Sequence, residues 1–128
     1  MAENKIAAVL LPTTQNIEKL PIPPIKLLRQ YNGIAAIGSD FCPNAFCYNM
    51  GLVCHYACIN YRLTPKETLA AATINSAYSL GISESQGSIE VGKKGDILLL
   101  DAPDWVCLMY YFGDTPIETV IKEGLVQW

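Results

Sequence analysis

Two short runs of uninterrupted apolar residues constrain this chain most. They are Ile6-Ala7-Ala8-Val9-Leu10-Leu11 and Ile34-Ala35-Ala36-Ile37. Neither alternates with polar residues, which predicts strands covered on both faces rather than strands with one wet side. Between them, Pro24 suits the first turn of a helix in which Ile25, Leu28 and Tyr31 share a face while Lys26, Arg29 and Gln30 point away. Asn32-Gly33 then stops that helix. Strand, helix, strand is a βαβ unit, so the two strands are expected to run parallel.

Each run ends in polar groups. Pro12-Thr13-Thr14 closes the first, and Gly38-Ser39-Asp40 closes the second before Pro43-Asn44 ends regular structure. In parallel α/β folds ligands bind where strands end, which makes Asp40 a candidate for chemistry. The threonine hydroxyls after the first strand are placed to line the same pocket. Asp is also common in turns, and on local sequence alone a plain cap explains Asp40 equally well.

Downstream, a helix is expected from about Asn49 to Arg62, with Met50, Val53, Cys54, Ala57, Cys58 and Tyr61 as its core stripe. Cys54 and Cys58 fit that stripe as small hydrophobes better than as metal ligands. His55, the only histidine, lies off the stripe and reads as a surface or inter-helix residue. Thr64-Pro65-Lys66-Glu67 is a capping box that opens a helix to Leu80, closed by Gly81, with Leu69, Ala72, Thr73, Ala77 and Leu80 buried. From Ile82 the texture turns to short strands. Ser88–Val91 alternates, Gly92–Asp96 turns, and Ile97–Leu100 reads as a buried strand. Trp105–Gly113 is irregular and aromatic. Ile117–Lys122 and Leu125–Trp128 form a hairpin about Glu123-Gly124.

Composition narrows the function classes. The 128 residues are 51% hydrophobic and 16% charged, whereas soluble domains carry about 25% charged residues. A chain this apolar calls for a covered surface, either an oligomer interface such as a homodimer or contact with a larger domain. The net charge of −3 and the lack of a basic cluster argue against nucleic acid or an anionic membrane as partner. No apolar run is long enough to span a bilayer, and the polar stretch Met1–Lys5 followed by six apolar residues does not make a signal peptide. Five cysteines with no CxxC pair read as reduced thiols of a cytoplasmic protein.

Gly38-Ser39-Asp40-Phe41-Cys42-Pro43-Asn44, with Leu63-Thr64-Pro65 and Ala70–Ala77, resembles the metal-dependent amidohydrolase superfamily. Gly87-Ser88-Ile89-Glu90-Val91-Gly92-Lys93-Lys94-Gly95-Asp96 looks like that superfamily's return into its β-sandwich. The Ser39-Asp40-Phe41-x-Pro43-Asn44 stretch is similar to the strand-eight signature of the imidazolonepropionases, hydrolases of histidine degradation. The resemblance implies an α/β fold: a partial (β/α)8 barrel, with strands seven and eight and their helices in 1–82, and the carboxyl-terminal strands of a β-sandwich in 83–128.

It also implies that Asp40 ligates one divalent metal, zinc or iron, and carries the proton of metal-bound water. That water attacks the imidazolone ring carbonyl, opening a small-molecule substrate to N-formimidoyl-L-glutamate. Cys42, Asn44 and Ala45 fall on the substrate-contacting loop. Cys42 stands where the family usually has asparagine, which leaves another cyclic amide open as substrate. A nucleophilic Cys42 is disfavoured because no histidine is placed near it.

The family's histidine ligands have no counterparts here, and a full barrel needs about 250 residues. The expectation is therefore a carboxyl-terminal portion that is inactive unaided, with a non-catalytic α/β interaction module as the alternative.

Overall fold

The computed structural model describes residues 6–127. The chain is a mixed α/β structure with two separate sheets. The first sheet pairs β1 (Ala7–Leu10) with β2 (Ile34–Ile37) in parallel, and Ala7 lies opposite Ile34 and Leu10 opposite Ile37. The expected helix between them is α2 (Ile25–Gln30), which buries Ile25 and leaves Tyr31 exposed just past its end. Gly33 N–H returns to Leu28 O at 2.7 Å, closing α2 before β2 begins.

An additional helix, α1 (Pro12–Glu18), follows β1 directly where the sequence reads as a strand stop. Proline at the first helical position, where no N–H is needed, starts α1 without a side-chain cap.

After β2, α3 (Met50–Tyr61) begins at Asn49, whose Oδ1 accepts the Leu52 N–H at 3.0 Å. Val53, Cys54, Ala57 and Tyr61 are buried on it as expected, while Met50 is exposed. These side chains join Leu10, Ile25, Ile37, Leu63, Ala71 and Met109 in one apolar core.

The capping box at Thr64 is complete and opens α4 (Pro65–Ala72). The single helix expected to Leu80 instead breaks at Thr73 (φ −120°, ψ −94°) and resumes as α5 (Ile74–Ser79). The cause is competition for backbone acceptors. Thr73 Oγ1 donates back to Leu69 O at 2.6 Å, and Asn75 Nδ2 and Ser76 Oγ donate to Ala35 O and Ile37 O of β2 at 2.8 and 3.1 Å. The break swings α5 onto β2. Thr68, Ala71 and Ala77 are the buried residues of the pair, whereas Leu69 and Ala72 are half-buried and Thr73 and Leu80 exposed.

The second sheet is antiparallel, in the order β3 (Ile97–Leu100), β4 (Ile117–Lys122), β5 (Leu125–Gln127). Glu123 (φ 51°) and Gly124 (φ 82°) make the hairpin turn with both residues left-handed. Trp128, expected in this last strand, lies outside the described residues, as does the polar start at 1–5. Ser88–Val91 is not a strand; its backbone pairs with none of the described strands, and Ile89 and Val91 face solvent. The aromatic stretch contains one helical turn, α6 (Cys107–Tyr110), whose Met109 is buried against the core.

Two strands depart from the expectation of burial. Val9 is 53% exposed, and Leu98 and Leu99 are 47% and 46% exposed. Their apolar character is real, but the described residues provide nothing to cover them. No helix among the described residues is long and apolar enough to cross a membrane.

Candidate active site

The parallel pairing puts the carboxyl ends of β1 and β2 side by side, and Gly38 N–H donates to Leu10 O at 3.0 Å to carry the ladder one residue further. There α1 turns back over the strand ends, so Thr13 and Thr14 are buried at 3% and 7% exposure. Thr13 Oγ1 donates to Ser39 O at 3.0 Å. Thr14 Oγ1 donates to Asp40 Oδ2 at 2.8 Å. Thr14 thus reaches the Asp40 side chain, and Thr13 the backbone beside it.

Asp40 itself is half-buried and left-handed (φ 48°), a conformation that Asp tolerates better than bulkier side chains.

The loop after Asp40 is a tight turn. Cys42 and Ala45 exchange backbone hydrogen bonds, with Ala45 N–H to Cys42 O at 2.9 Å and Cys42 N–H to Ala45 O at 3.3 Å. Cys47 N–H also donates to Ala45 O, at 2.8 Å. Ala45 is buried and both its backbone groups are engaged, so it anchors the turn. Cys42 is half-buried, and Asn44 stands exposed at the tip with its Nδ2 3.4 Å from Glu18 Oε1. Phe41 packs on Phe46 and Tyr48 at centroid distances of 5.2 and 4.4 Å, and these rings roof the turn on its solvent side.

The remaining candidates lie elsewhere. His55 faces α6, and because a carbonyl only accepts, its Nδ1 carries the proton it gives to Met109 O at 2.9 Å. Its ring also packs on Phe112. This is an inter-helix histidine. Cys54 is buried, and that burial, with Cys58 nearby, pushes its thiol up to about 12. Cys58 Sγ lies 3.2 Å from Thr68 Oγ1. Cys54 is a core thiol, and the half-buried Cys58 packs against the same core.

One cavity, of about 400 Å³, has Ile25, Leu28, Gly33, Ala35 and Leu63 in its lining. It opens at the amino end of β2, away from Asp40. A smaller one of about 230 Å³ touches Thr13 and the loop residues Phe46, Cys47 and Tyr48.

A catalytic zinc takes about three protein ligands. Among the described residues no three His, Cys, Asp or Glu side chains converge. Asp40 offers one carboxylate, so these residues alone do not fit a divalent-metal site.

The amidohydrolase family pattern matches residues 4–126. A probable imidazolonepropionase from Bos taurus is 48% identical in a match that covers 98% of this chain and 30% of the bovine one. The Homo sapiens protein of the same name is 46% identical over 97% of this chain and 30% of its own. An imidazolonepropionase from Rubrobacter xylanophilus is 40% identical over 97% and 30%. The chain thus spans about 30% of the length of these relatives. Among solved structures, a zinc-bound adenosine deaminase from Xanthomonas campestris superposes with a TM-score of 0.86 at 26% identity. The match covers 98% of this chain and 32% of that one. Guanine deaminase from E. coli shares the fold with a TM-score of 0.80 at 20% identity, over 99% and 35%.

Proposed function

The chain belongs to the amidohydrolase family, and from that premise we propose that it forms the Asp40 corner of an imidazolonepropionase active site. The observation that carries the reading is the Asp40 carboxylate, held by Thr14 at the joined carboxyl ends of two parallel strands. Identity of 40–48% to proteins named imidazolonepropionase supports the substrate. In this reading β1 and β2 are strands seven and eight of a (β/α)8 barrel, residues 1–82 are its last two units, and 83–128 belong to a β-sandwich. The clean separation of a parallel from an antiparallel sheet supports that division.

The reaction is hydrolysis of a cyclic amide in the cytoplasm. Water adds to the imidazolone ring carbonyl, the ring C–N bond breaks, and N-formimidoyl-L-glutamate leaves. Asp40 accepts the water's proton on its carboxylate and returns it to the departing ring nitrogen. Cys42 and Asn44 face the propionate arm, and Ala45 holds the turn that presents them. A family metal, zinc or iron, would take Asp40 as one ligand and would need further ligands that the described residues do not supply.

The test is a family-length chimera in which residues 1–128 replace the matching segment of the bovine relative. Turnover of imidazolone propionate, lost in Asp40→Asn, is expected. A folded chimera whose Asp40→Asn variant is fully active overturns the assignment. Cys42 favours one second reading, because a thiol offers neither the strong donor nor the strong acceptor of an amide. If the chimera opens another cyclic amide faster than imidazolone propionate, that reading replaces the first.

A further inference from the structure

We propose that Thr14 is a positioning residue for Asp40; the proposal rests on the catalytic reading of Asp40 above. Two adjacent hydroxyls in the first turn of α1 grip two adjacent residues at the end of β2, 26 positions along the chain. Thr13 Oγ1 holds the backbone at Ser39 O, and Thr14 Oγ1 holds the side chain at Asp40 Oδ2. Both threonines are buried, and a β-branched side chain has few rotamers, so the donors stay where the fold puts them. The backbone they grip needs holding, because Asp40 is left-handed.

Thr14 gives the only hydrogen bond to this carboxylate among the described residues, and no described Lys or Arg pairs with it. A hydroxyl on Oδ2 selects the carboxylate's rotamer. It leaves Oδ1 without a hydrogen bond among the described residues. A donor bonded to one oxygen orients the group. The clamp also fixes two strand ends to each other, so the site's geometry depends on α1 as well as on β2.

The test uses the chimera with Thr14→Val, Thr14→Ser and Asp40→Asn. Val keeps the shape of threonine and removes the donor; Ser keeps the donor. Thr14→Val is expected to lower kcat about 10- to 100-fold with KM nearly unchanged, the scale of a misplaced catalytic group. Thr14→Ser is expected to retain most of the rate. A crystal structure of Thr14→Val is expected to show the Asp40 carboxylate in a different rotamer.

Wild-type kcat in Thr14→Val, alongside an inactive Asp40→Asn, overturns the proposal and leaves the Asp40 reading standing. Full activity in Asp40→Asn overturns that reading instead. An unmoved Asp40 carboxylate in Thr14→Val also overturns the proposal. Should Thr14→Val not fold, Thr14→Ser decides: a folded Ser variant as slow as Asp40→Asn overturns it, and one near wild type supports it.

Discussion

Arg29 on α2 and Glu67 on α4 meet as a two-pronged pair, Nε to Oε1 at 2.8 Å and Nη2 to Oε2 at 2.7 Å. The same carboxylate closes the capping box by accepting the Thr64 N–H at 2.7 Å, and Arg29 also donates to Arg62 O at 2.8 Å. One ion pair therefore ties α2 to the end of α3 and the start of α4.

This arrangement has a pH signature. The Arg29 hydrogen bond, with the Thr64 donors, draws Glu67 down from its ordinary 4.5 to about 2. A carboxylate depressed on folding adds stability that is complete above its ordinary value and fades as pH falls toward 2. Both side chains are more than a third exposed, so solvent screening keeps the pair's contribution small. In the chimera, thermal midpoints of wild type and Arg29→Ala are expected to differ at pH 6 and to converge by pH 2. High salt is expected to shrink the gap.

Two glycines with the same backbone sign separate space from strain. Gly87 (φ 94°) lies so close to α5 that an added Cβ meets Ala77 Cβ at 2.7 Å and Ile74 Cα at 2.9 Å. Gly92 (φ 92°) has open space around it. Gly92→Ala is expected to cost about 1 kcal/mol from conformation alone. Gly87→Ala adds overpacking of about 1–3 kcal/mol to the same conformational term. Denaturant midpoints of the two chimeric variants measure the difference, and equal shifts would show that the Gly87 contact is not tight.

Thiol chemistry distinguishes the cysteines. Burial pushes Cys54 up to about 12, so at pH 8 almost none of it is thiolate. Iodoacetamide is expected to spare Cys54 in the folded chimera and to label it once guanidinium is added. Peptide mapping by mass spectrometry reads this directly. Native labelling of Cys54 at the rate of a free thiol would contradict the packing of α3.

The 128-residue chain by itself exposes Val9, Leu98, Leu99 and the unpaired stretch around Ile89 and Val91. Apolar surface on open strand edges favours association and loose packing. The chain alone is expected to bind ANS and to melt broadly, whereas the chimera is expected to do neither. A sharp, cooperative melt of the monomeric chain would refute this.

Much of the fold was legible because its signals are local. The Thr64 box, the Glu123-Gly124 turn and the Asn32-Gly33 stop each act over a few residues, and each appears where the sequence places it. The errors share one cause. Ser88–Val91 alternates like a strand, but a strand needs a neighbour and no described strand pairs with it. The helix from Pro65 has unbroken periodicity, but Asn75 and Ser76 exchange helical regularity for bonds to β2. In the candidate site, Asp40 was visible as a carboxylate at a strand end. Thr14 was visible only as a hydroxyl at the end of another strand.

The sequence by itself determined the two apolar strands, their parallel sense, the polar residues at their ends and the family motif around Asp40. Periodicity and turn chemistry, which operate between residues close along the chain, suffice for the strands and their ends; the motif rests on resemblance to the family. Only the tertiary structure decided that Thr14 bonds the Asp40 carboxylate, that α5 bends onto β2, and which apolar faces stay uncovered. These depend on contacts between residues dozens of positions apart. Such contacts form only when whole elements have packed, and the sequence near any one residue carries no record of its partner.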